Sequence, residues 1–373
     1  MFRCFQIKNN VSVEPAYVLY CLAYYLMDLV NTNLYIQKSC RFNTTSEPDL
    51  DTPCDDETKG VIFLTTVNSI YRCSLRIAFT LFGIFFTTWS DKIGGKRKIF
   101  IILPIIALIL QNFSLCYHAY YWHWPATFAV WCEIIFQIGS GGNVCFLIFA
   151  QIHVFESSSI ENRTFKSSIL SALQSICVVI SSGLSGYLIY KLGFYYTYFL
   201  CLILSILSLI FSWILIQDTS KCIKHKAHIY DAFRITHIID SFKIVFRKRM
   251  TKERMIIIIL LLISNLGWFS VSGERTILYL YFRYRFNWDE RMYSIFLTFK
   301  LIGNIIGTLF CSIILSKTFK IHDGVIGSFA AFWSTLQAVS YLFANKTWQL
   351  NLRRWQCGGC FGERIAKENI PTL

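Results

Sequence analysis

The sequence predicts an all-α protein that crosses a membrane several times, and three observations lead to this prediction. Hydrophobic residues make up 54% of the 373 residues and charged residues only 16%, with a mean hydropathy of +0.47. The apolar residues are gathered in runs long enough to cross the ~30 Å of hydrocarbon in a bilayer. The cations that produce the net charge of +14 lie mostly between these runs. Because a single span can satisfy its backbone in lipid only as a helix, each run predicts an α-helix.

Nine apolar runs follow one another along the chain, and each predicts one membrane-spanning helix. They cover residues 13–36, 61–89, 99–117, 126–154, 164–190, 195–216, 255–282, 293–315 and 325–343.

A long polar interval follows the sixth run and divides the chain. We therefore predict an N-terminal six-helix bundle (1–216), a basic cytoplasmic linker (217–254), an incomplete C-terminal bundle (255–343) and a polar tail (344–373). Two bundles of six helices, as in many secondary transporters, would give twelve spans. Since about nine are present, we expect that three helices are missing from a truncated, differently spliced or mispredicted C-terminal half.

The distribution of loop charges predicts the orientation of the chain. Lys and Arg are concentrated in the loops on the side of the N-terminus, above all in the linker 217–254, and are scarce in the opposite loops. Cytoplasmic loops retain positive charge, so the N-terminus is predicted to be cytoplasmic. The loop after the first run then lies outside, where Asn43 begins a glycosylation sequon. Cys40 and Cys54 flank this loop, either as a disulfide or as two free thiols.

The same features argue against several other classes of protein. The cations are spread as orientation signals and form no basic face, which disfavours nucleic-acid binding. No nucleophile–base pair stands in a soluble domain, so we do not predict an enzyme. The histidines are scattered and the late Cys-x-x-Cys at 357–360 has no second pair, so neither a metal site nor a cofactor is predicted.

Charged residues inside the apolar runs are candidates for binding a solute. A charge near the bilayer centre costs at least ~2.5–3.5 kcal/mol, so chains keep such residues mainly where they line a cavity or form pairs. Structural pairing is therefore the alternative to solute binding, with Asp28 and Glu133 as candidate counter-ions. Arg72 could instead reach the membrane surface. The candidate substrate-binding residues are Asp28, Arg76, Glu133, Glu274, Arg275 and Lys300.

A turn between the second and third runs, residues 89–98, holds one acid, two glycines and four cations. The glycines let the chain reverse direction, and the cations stay in water at the membrane surface. Asp91, at a helix end, can bind backbone N–H groups and cations and release them when the bundles move. A solvated loop acid is the alternative. The candidate gating residues are Asp91, Gly94, Lys96, Arg97, Glu156 and Arg163.

These motifs resemble a known family. Asp-Lys-Ile-Gly at 91–94 with its trailing cations is similar to the signature that the major facilitator superfamily carries between helices two and three. Gly-Ser-Gly-Gly at 139–142, Glu-Ser-Ser-Ser at 156–159 and Arg-Thr-Phe-Lys at 163–166 resemble solute carrier family 46, the group of the proton-coupled folate transporter. The resemblance covers residues 13–343 and implies a two-bundle fold in which Asp91 acts as an intracellular latch.

The chain also departs from this family at positions that carry protons. The folate transporter's glutamate in helix five falls on Ser171, and its histidine in helix seven falls on Val271. Neither replacement can take up a proton near neutral pH. The resemblance therefore does not extend to proton coupling of that type, nor to folate as the substrate.

Together, these observations predict a secondary active transporter that carries a small organic solute, most simply an anion, by alternating access. Its partners would be the solute, the lipid bilayer and, if transport is coupled, protons. The alternative is a truncated relative that does not transport and acts as a scaffold or regulatory membrane protein. The sequence leaves the plasma membrane and the lysosomal membrane both open, and it does not indicate an oligomeric state.

Overall fold

A computed structural model describes residues 13–41, 57–92, 97–158, 163–216 and 323–342, with single residues and short stretches between 255 and 315. All regular structure within these residues is helical. The helices are α1 (Glu14–Cys40), α2 (Glu57–Thr66), α3 (Arg72–Lys92), α4 (Lys98–Tyr120), α5 (Ala126–Ser140), α6 (Gly142–Ser157), α7 (Arg163–Leu215) and α8 (Asp323–Leu342).

Four stretches of the described residues are helical, long and apolar enough to cross a membrane. They are Ile62–Thr87, Lys98–Tyr120, Ala126–Ser157 and Phe165–Leu215. Each falls on apolar runs predicted from the sequence, and the last covers two of them. The prediction of an all-α membrane protein is confirmed by these helices.

Two predicted spans are each interrupted in the structure, and two others belong to one long helix. The second run consists of α2 and α3 joined by a π-helical turn, Val67–Tyr71. The fourth run is two helices, α5 and α6, which meet at Gly141 and Gly142. The fifth and sixth runs form α7, whose backbone is non-helical at Gly193, with φ 79° and ψ 177°. Hydropathy does not detect the first two interruptions, because an apolar run continues through each of them, whereas the interval around Lys191 separates the fifth run from the sixth.

The chain divides into two compact units. The first comprises Met1–Ser157 and Ile180–Ile238, and the second comprises Ser158–Val179 and Ile239–Leu373. The predicted boundaries at 216, 254 and 343 stay a prediction, since they lie at the edges of the described residues or beyond them.

The core of the first unit is built around α1. Glu14 and Pro15 stand at its N-terminus and Lys38 in its last turn, which is the arrangement that helix ends favour. Tyr17 and Tyr20 are buried and stack on Phe146 of α6, with ring centroids 5.7 and 3.6 Å away. Aromatic burial of this kind is a major source of packing energy in a bundle.

Polar side chains join the helices of the first unit at several points. Ser208 of α7 donates a 2.9 Å hydrogen bond to the carbonyl of Ala16 in α1. Near the same C-terminal end of α7, the Lys98 ammonium donates to the carbonyl of Trp213 at 2.6 Å and lies 5.0 Å from the centre of its ring. In lipid, interhelical hydrogen bonds of this kind help to hold helices together.

In the second unit, the described residues include α8 and a buried aromatic contact. The rings of Phe282 and Phe296 meet edge to face at 5.0 Å, and both side chains are buried. In α8, Phe329 and Trp333 stack one turn apart.

Candidate functional site

Charged side chains from three helices of the first unit meet in what we call the Arg72 cluster, made of Asp28, Tyr35, Arg72 and Glu133. The Arg72 guanidinium lies 2.9 Å from the Asp28 carboxylate of α1. The Tyr35 hydroxyl, two turns further along α1, donates a 2.7 Å hydrogen bond to the Glu133 carboxylate of α5. Arg72 is also close enough to Glu133 to attract it. One cation thus faces two acids inside the bundle.

The π-helical turn Val67–Tyr71 directly precedes Arg72. A π-helical turn accommodates one extra residue in a helix and therefore shifts the register of the residues after it. Arg72, the first residue after the turn, pairs with Asp28 of α1, whereas Arg76, one turn later, is exposed. Turns of this type are frequent at functional sites.

Glu133 is the buried member of the cluster. Its side chain is only 6% exposed, whereas the Asp28 and Arg72 side chains are 37% and 21% exposed. An ionised carboxylate at such a position is costly unless it is paired and hydrogen-bonded. Tyr35 supplies the hydrogen bond and Arg72 the countercharge, while Asp28 opposes the negative charge. The balance among these groups makes the charge of Glu133 sensitive to its neighbours.

Uncharged polar pairs continue this polar interior. Asn31 of α1 accepts a 2.7 Å hydrogen bond from the buried Tyr198 hydroxyl of α7. One turn after Glu133, Gln137 donates to Gln111 of α4 at 3.0 Å. The bundle that surrounds the Arg72 cluster is therefore polar on several helices.

A second group, the Arg97 cluster, consists of Ser90, Arg97 and Glu156. Arg97 is only 5% exposed. Its guanidinium donates to the two Glu156 carboxylate oxygens at 2.8 and 3.4 Å and to the Ser90 hydroxyl at 2.7 Å. A two-point contact between arginine and carboxylate is among the strong polar interactions in proteins. It holds the C-terminal ends of α3 and α6 to the start of α4.

A third group of contacts lies at the C-terminal end of α1. The Lys38 ammonium donates to the carbonyls of His118, Tyr121 and Trp124 at 2.7, 3.4 and 3.3 Å. Burial lowers the pKa of this ammonium to about 8. Cys40 is disulfide-bonded, and the seven other cysteines of the described residues are free, so its partner lies outside those residues. Its predicted pairing with Cys54 stays a prediction.

The structure brings together some of the residues predicted from the sequence. Asp28 and Glu133 share the Arg72 cluster, and Arg97 and Glu156 are paired. Lys300 is partly buried in the second unit, and Arg163 begins α7. Asp91 belongs to the last turn of α3. The side chain of Asp91 lies outside the described residues, as do Asn43, Cys54, Gly94, Lys96, Glu274 and Arg275.

Three participants were missed by sequence reasoning. Arg72 was considered a residue that could reach the membrane surface, yet it forms an ion pair with Asp28 and attracts Glu133 electrostatically. Tyr35 was not singled out, and Ser90 was noted only beside Asp91 in the family motif, without a role of its own. The available signal was spacing: Tyr35 lies two turns after Asp28, and Ser90 directly precedes Asp91. In the part of the chain that the structure describes, no group of three or more metal-binding side chains could hold a metal ion.

Apolar helices of membrane length, with ion pairs between them, define a polytopic integral membrane protein. The sequence model of the Major Facilitator Superfamily matches residues 60–353, which is most of the chain. The protein therefore belongs to the Major Facilitator Superfamily, a family of membrane transporters.

A solved structure has a similar fold. The human organic anion transporter MFSD10 (TETRAN) superposes with a TM-score of 0.69 at 12% identity, covering 95% of this chain and 82% of that protein. At this identity the likeness concerns the fold alone. A comparison with curated proteins finds no match.

Proposed function

We propose that this protein is a secondary active transporter, similar to solute carrier family 46, that carries a small organic anion together with protons. The observation that carries the proposal is the Arg72 cluster, in which one arginine faces two acids inside a membrane-spanning bundle. Charges are retained in such places mainly where they line a solute or ion path.

Cations within the predicted spans support an anionic solute. Arg76 lies one turn beyond Arg72, and the sequence places Arg275 and Lys300 in later spans. Arginine suits carboxylate recognition, because its planar donors can bind both oxygens. The structural neighbour named above is itself described as an organic anion transporter.

Glu133 is the proposed proton acceptor. Protonation would remove one of the two negative charges that face Arg72 and would weaken its hold on α5. Arg72 would then be available to a carboxylate of the solute. This assignment replaces the family's proton-carrying positions, which are Ser171 and Val271 in this chain.

The Arg97 cluster is the proposed base of the cytoplasmic latch, together with Asp91, Gly94, Lys96 and Arg163. Its bonds from Arg97 to Ser90 and Glu156 fix the ends of α3 and α6. The neighbouring Asp91 would thereby be presented at a constant position. Loss of either partner of Arg97 should then disturb gating even though Asp91 is unchanged.

The test is uptake into liposomes that contain the purified full chain, with and without an inward proton gradient. The panel of solutes is folates, steroid conjugates and peptidoglycan fragments. Acid outside should stimulate uptake of at least one anion severalfold, and Glu133→Gln should abolish the stimulation. Glu14→Gln, at the start of α1, is the matched control and should retain it. Uptake that is equally acid-stimulated in Glu133→Gln would rule out Glu133 as the acceptor.

For the latch, Asp91→Asn and Glu156→Gln should each reduce uptake of the identified solute about tenfold or more, which corresponds to about 1.4 kcal/mol. Full uptake by Asp91→Asn would show that this residue has no gating role. If no solute on the panel is taken up under any gradient, the proposal of transport loses its support.

A further inference from the structure

The helices α5 and α6 meet at an interruption of the helical backbone that is formed by two glycines. Gly141 and Gly142 have φ of 72° and 58°, a conformation that side-chain-bearing residues rarely adopt. The Gly142 N–H donates to the Ser140 hydroxyl at 3.2 Å, and the Cys145 N–H donates to the Gly141 carbonyl at 3.3 Å. Backbone groups freed by the interruption thus find partners, as a break inside a membrane requires.

The ring of Phe79, from α3, fills the space at this break. A Cβ added to Gly142 would lie 2.8 Å from the Phe79 ring, and one added to Gly141 would clash with Cys145. Phe79 is itself only 5% exposed. At Gly139, two residues earlier on α5, an added Cβ meets nothing within 4 Å. Close approach is therefore confined to the glycine pair.

The break separates two charged groups that the same pair of helices carries. Glu133, in the Arg72 cluster, lies on α5, whereas Glu156, in the Arg97 cluster, lies at the end of α6. By helical rise, they stand about 12 and 21 Å from the break. The helix α3 runs without interruption from Arg72 past Phe79 to Ser90. The helix α3 is thus continuous, whereas α5 and α6, which face it, are separated by the glycine pair.

The helix α6 is held in place by aromatic contacts as well as by its ion pair with Arg97. Phe100 of α4 stacks on Phe149 of α6 at 4.7 Å and contacts Phe86 and Trp89 of α3 at 5.5 and 5.4 Å. These rings and the Arg97–Glu156 pair fix α6 to α3 and α4. The described contacts of α5 include the bond of Glu133 to Tyr35 in the Arg72 cluster, the Gln137–Gln111 hydrogen bond to α4 and an edge contact of Trp131 with Tyr71 at 5.8 Å.

We propose that Gly141 and Gly142 form a hinge, with the Phe79 ring as its pivot, about which α5 tilts against a stationary α6 when the charge of Glu133 changes. In a continuous helix, movement at Glu133 would pull on Glu156 and strain the Arg97 cluster. The hinge lets the half that carries Glu133 move while the latch stays closed. This inference rests on the proposed role of Glu133, but it predicts a motion that can be measured without any solute.

The experiment measures electron–electron distances in the full chain in nanodiscs, between spin-labelled unnatural amino acids at the exposed Thr127 and Ser157. These positions lie near the two outer ends of α5 and α6. Replacing Glu133 by Gln should shift the mean distance by more than the scatter of a reference pair, because each arm is about 20 Å long and a change in the angle between the arms moves their outer ends. A reference pair at Ile99 and Tyr120, both on α4 and exposed, should not shift.

Glycine variants then locate the hinge. Gly142→Ala should reduce the Glu133→Gln shift to the error of the reference pair, whereas Gly139→Ala, for which space is open, should leave it intact. Phe79→Ala removes the pivot without touching the glycines, so it should broaden the distance distribution even if Gly142→Ala does not fold. An unshifted distance in Glu133→Gln, or an unchanged distribution in Phe79→Ala, would overturn the hinge.

Uptake by the same preparation separates this inference from the proposed function. If the wild-type protein transports but the Thr127–Ser157 distance does not respond to Glu133→Gln, only the hinge is wrong. If the distance responds but no solute is taken up, the hinge stands and the transport proposal is wrong.

Discussion

Arg72 supplies the countercharge for two acids, Asp28 and Glu133. A guanidinium that is 21% exposed has lost most of its hydration and depends on Asp28 and Glu133 for compensation. Removing one acid therefore leaves Arg72 with a single counter-ion, and removing the arginine leaves two acids without a countercharge. The contributions of these three residues to stability therefore depend on one another.

A double-mutant cycle measures this dependence. Asp28→Asn and Arg72→Gln should each destabilise the protein by about 1–3 kcal/mol, since each leaves a partly buried charge without its partner. The double variant should cost less than the sum of the two by about 0.5–3 kcal/mol, the usual range for residues in contact. Thermal unfolding in detergent provides the comparison.

The matched control is Arg76→Gln, one turn further along α3 on an exposed position. It should change the unfolding midpoint less than Arg72→Gln does. Strictly additive effects of Asp28→Asn and Arg72→Gln would mean that the 2.9 Å contact contributes no coupling.

Some of this cluster could be predicted from the sequence and some could not. Asp28 and Glu133 were identified because an acid inside an apolar run is expensive in lipid. Their partner was not, because a four-residue spacing places Arg72 and Arg76 on the same face and does not say which of them turns toward α1. The π-helical turn just before Arg72 was not predicted either, because its sequence, Val-Asn-Ser-Ile-Tyr, has no distinctive pattern. Tyr35 was missed because buried aromatic residues are numerous in this chain.

Gly193 gives the longest helix its interruption. Its φ of 79° and ψ of 177° fall in a region that is essentially restricted to glycine, and the preceding and following parts of α7 each have membrane length. One turn after the break, the Thr197 hydroxyl donates a 2.6 Å hydrogen bond to the Gly193 carbonyl. The residue thus divides one helix into the two spans that the sequence predicted.

Gly193→Ala should destabilise the protein by about 1–3 kcal/mol, since alanine would be strained at this φ and ψ. Gly186→Ala, seven residues earlier in the same helix and with open space at its Cβ, should instead be neutral or stabilising by up to about 1 kcal/mol. The thermal unfolding midpoints of the two variants in detergent should move in different directions or by clearly different amounts. Equal midpoints would contradict the assigned role of Gly193.

Helix ends and breaks were the least predictable features. Hydropathy found the runs because lipid requires a helical backbone wherever a chain crosses it. It treated residues 126–154 as one helix, since Gly141 and Gly142 interrupt the backbone without adding polarity. By contrast, the separation of residues 164–190 from 195–216 was predicted, because Lys191 marks the interval.

The fold class was the most predictable property of this chain. Composition and run length alone indicated a helical membrane protein, and the motif at 91–94 indicated the superfamily that the match over residues 60–353 establishes. Relationship to solute carrier family 46, orientation and solute remain predictions, since they depend on loops and side chains that physical patterning constrains weakly.

Glycosylation tests the predicted orientation. With a cytoplasmic N-terminus, Asn43 is outside and becomes modified, whereas the sequon at Asn162 is inside and does not. The protein expressed in cultured animal cells should therefore lose apparent mass on glycosidase treatment, and Asn43→Gln should abolish this change. Asn162→Gln is the control and should leave it unaffected. Modification at Asn162 would invert the predicted topology.

The bond between Lys98 and the carbonyl of Trp213 has a mechanical consequence. Trp213 lies within three residues of the point where the chain leaves α7 toward the linker, and Lys98 is the covalent neighbour of Arg97. A displacement of this end of α7 would therefore act on the first turn of α4, next to the arginine that binds Glu156.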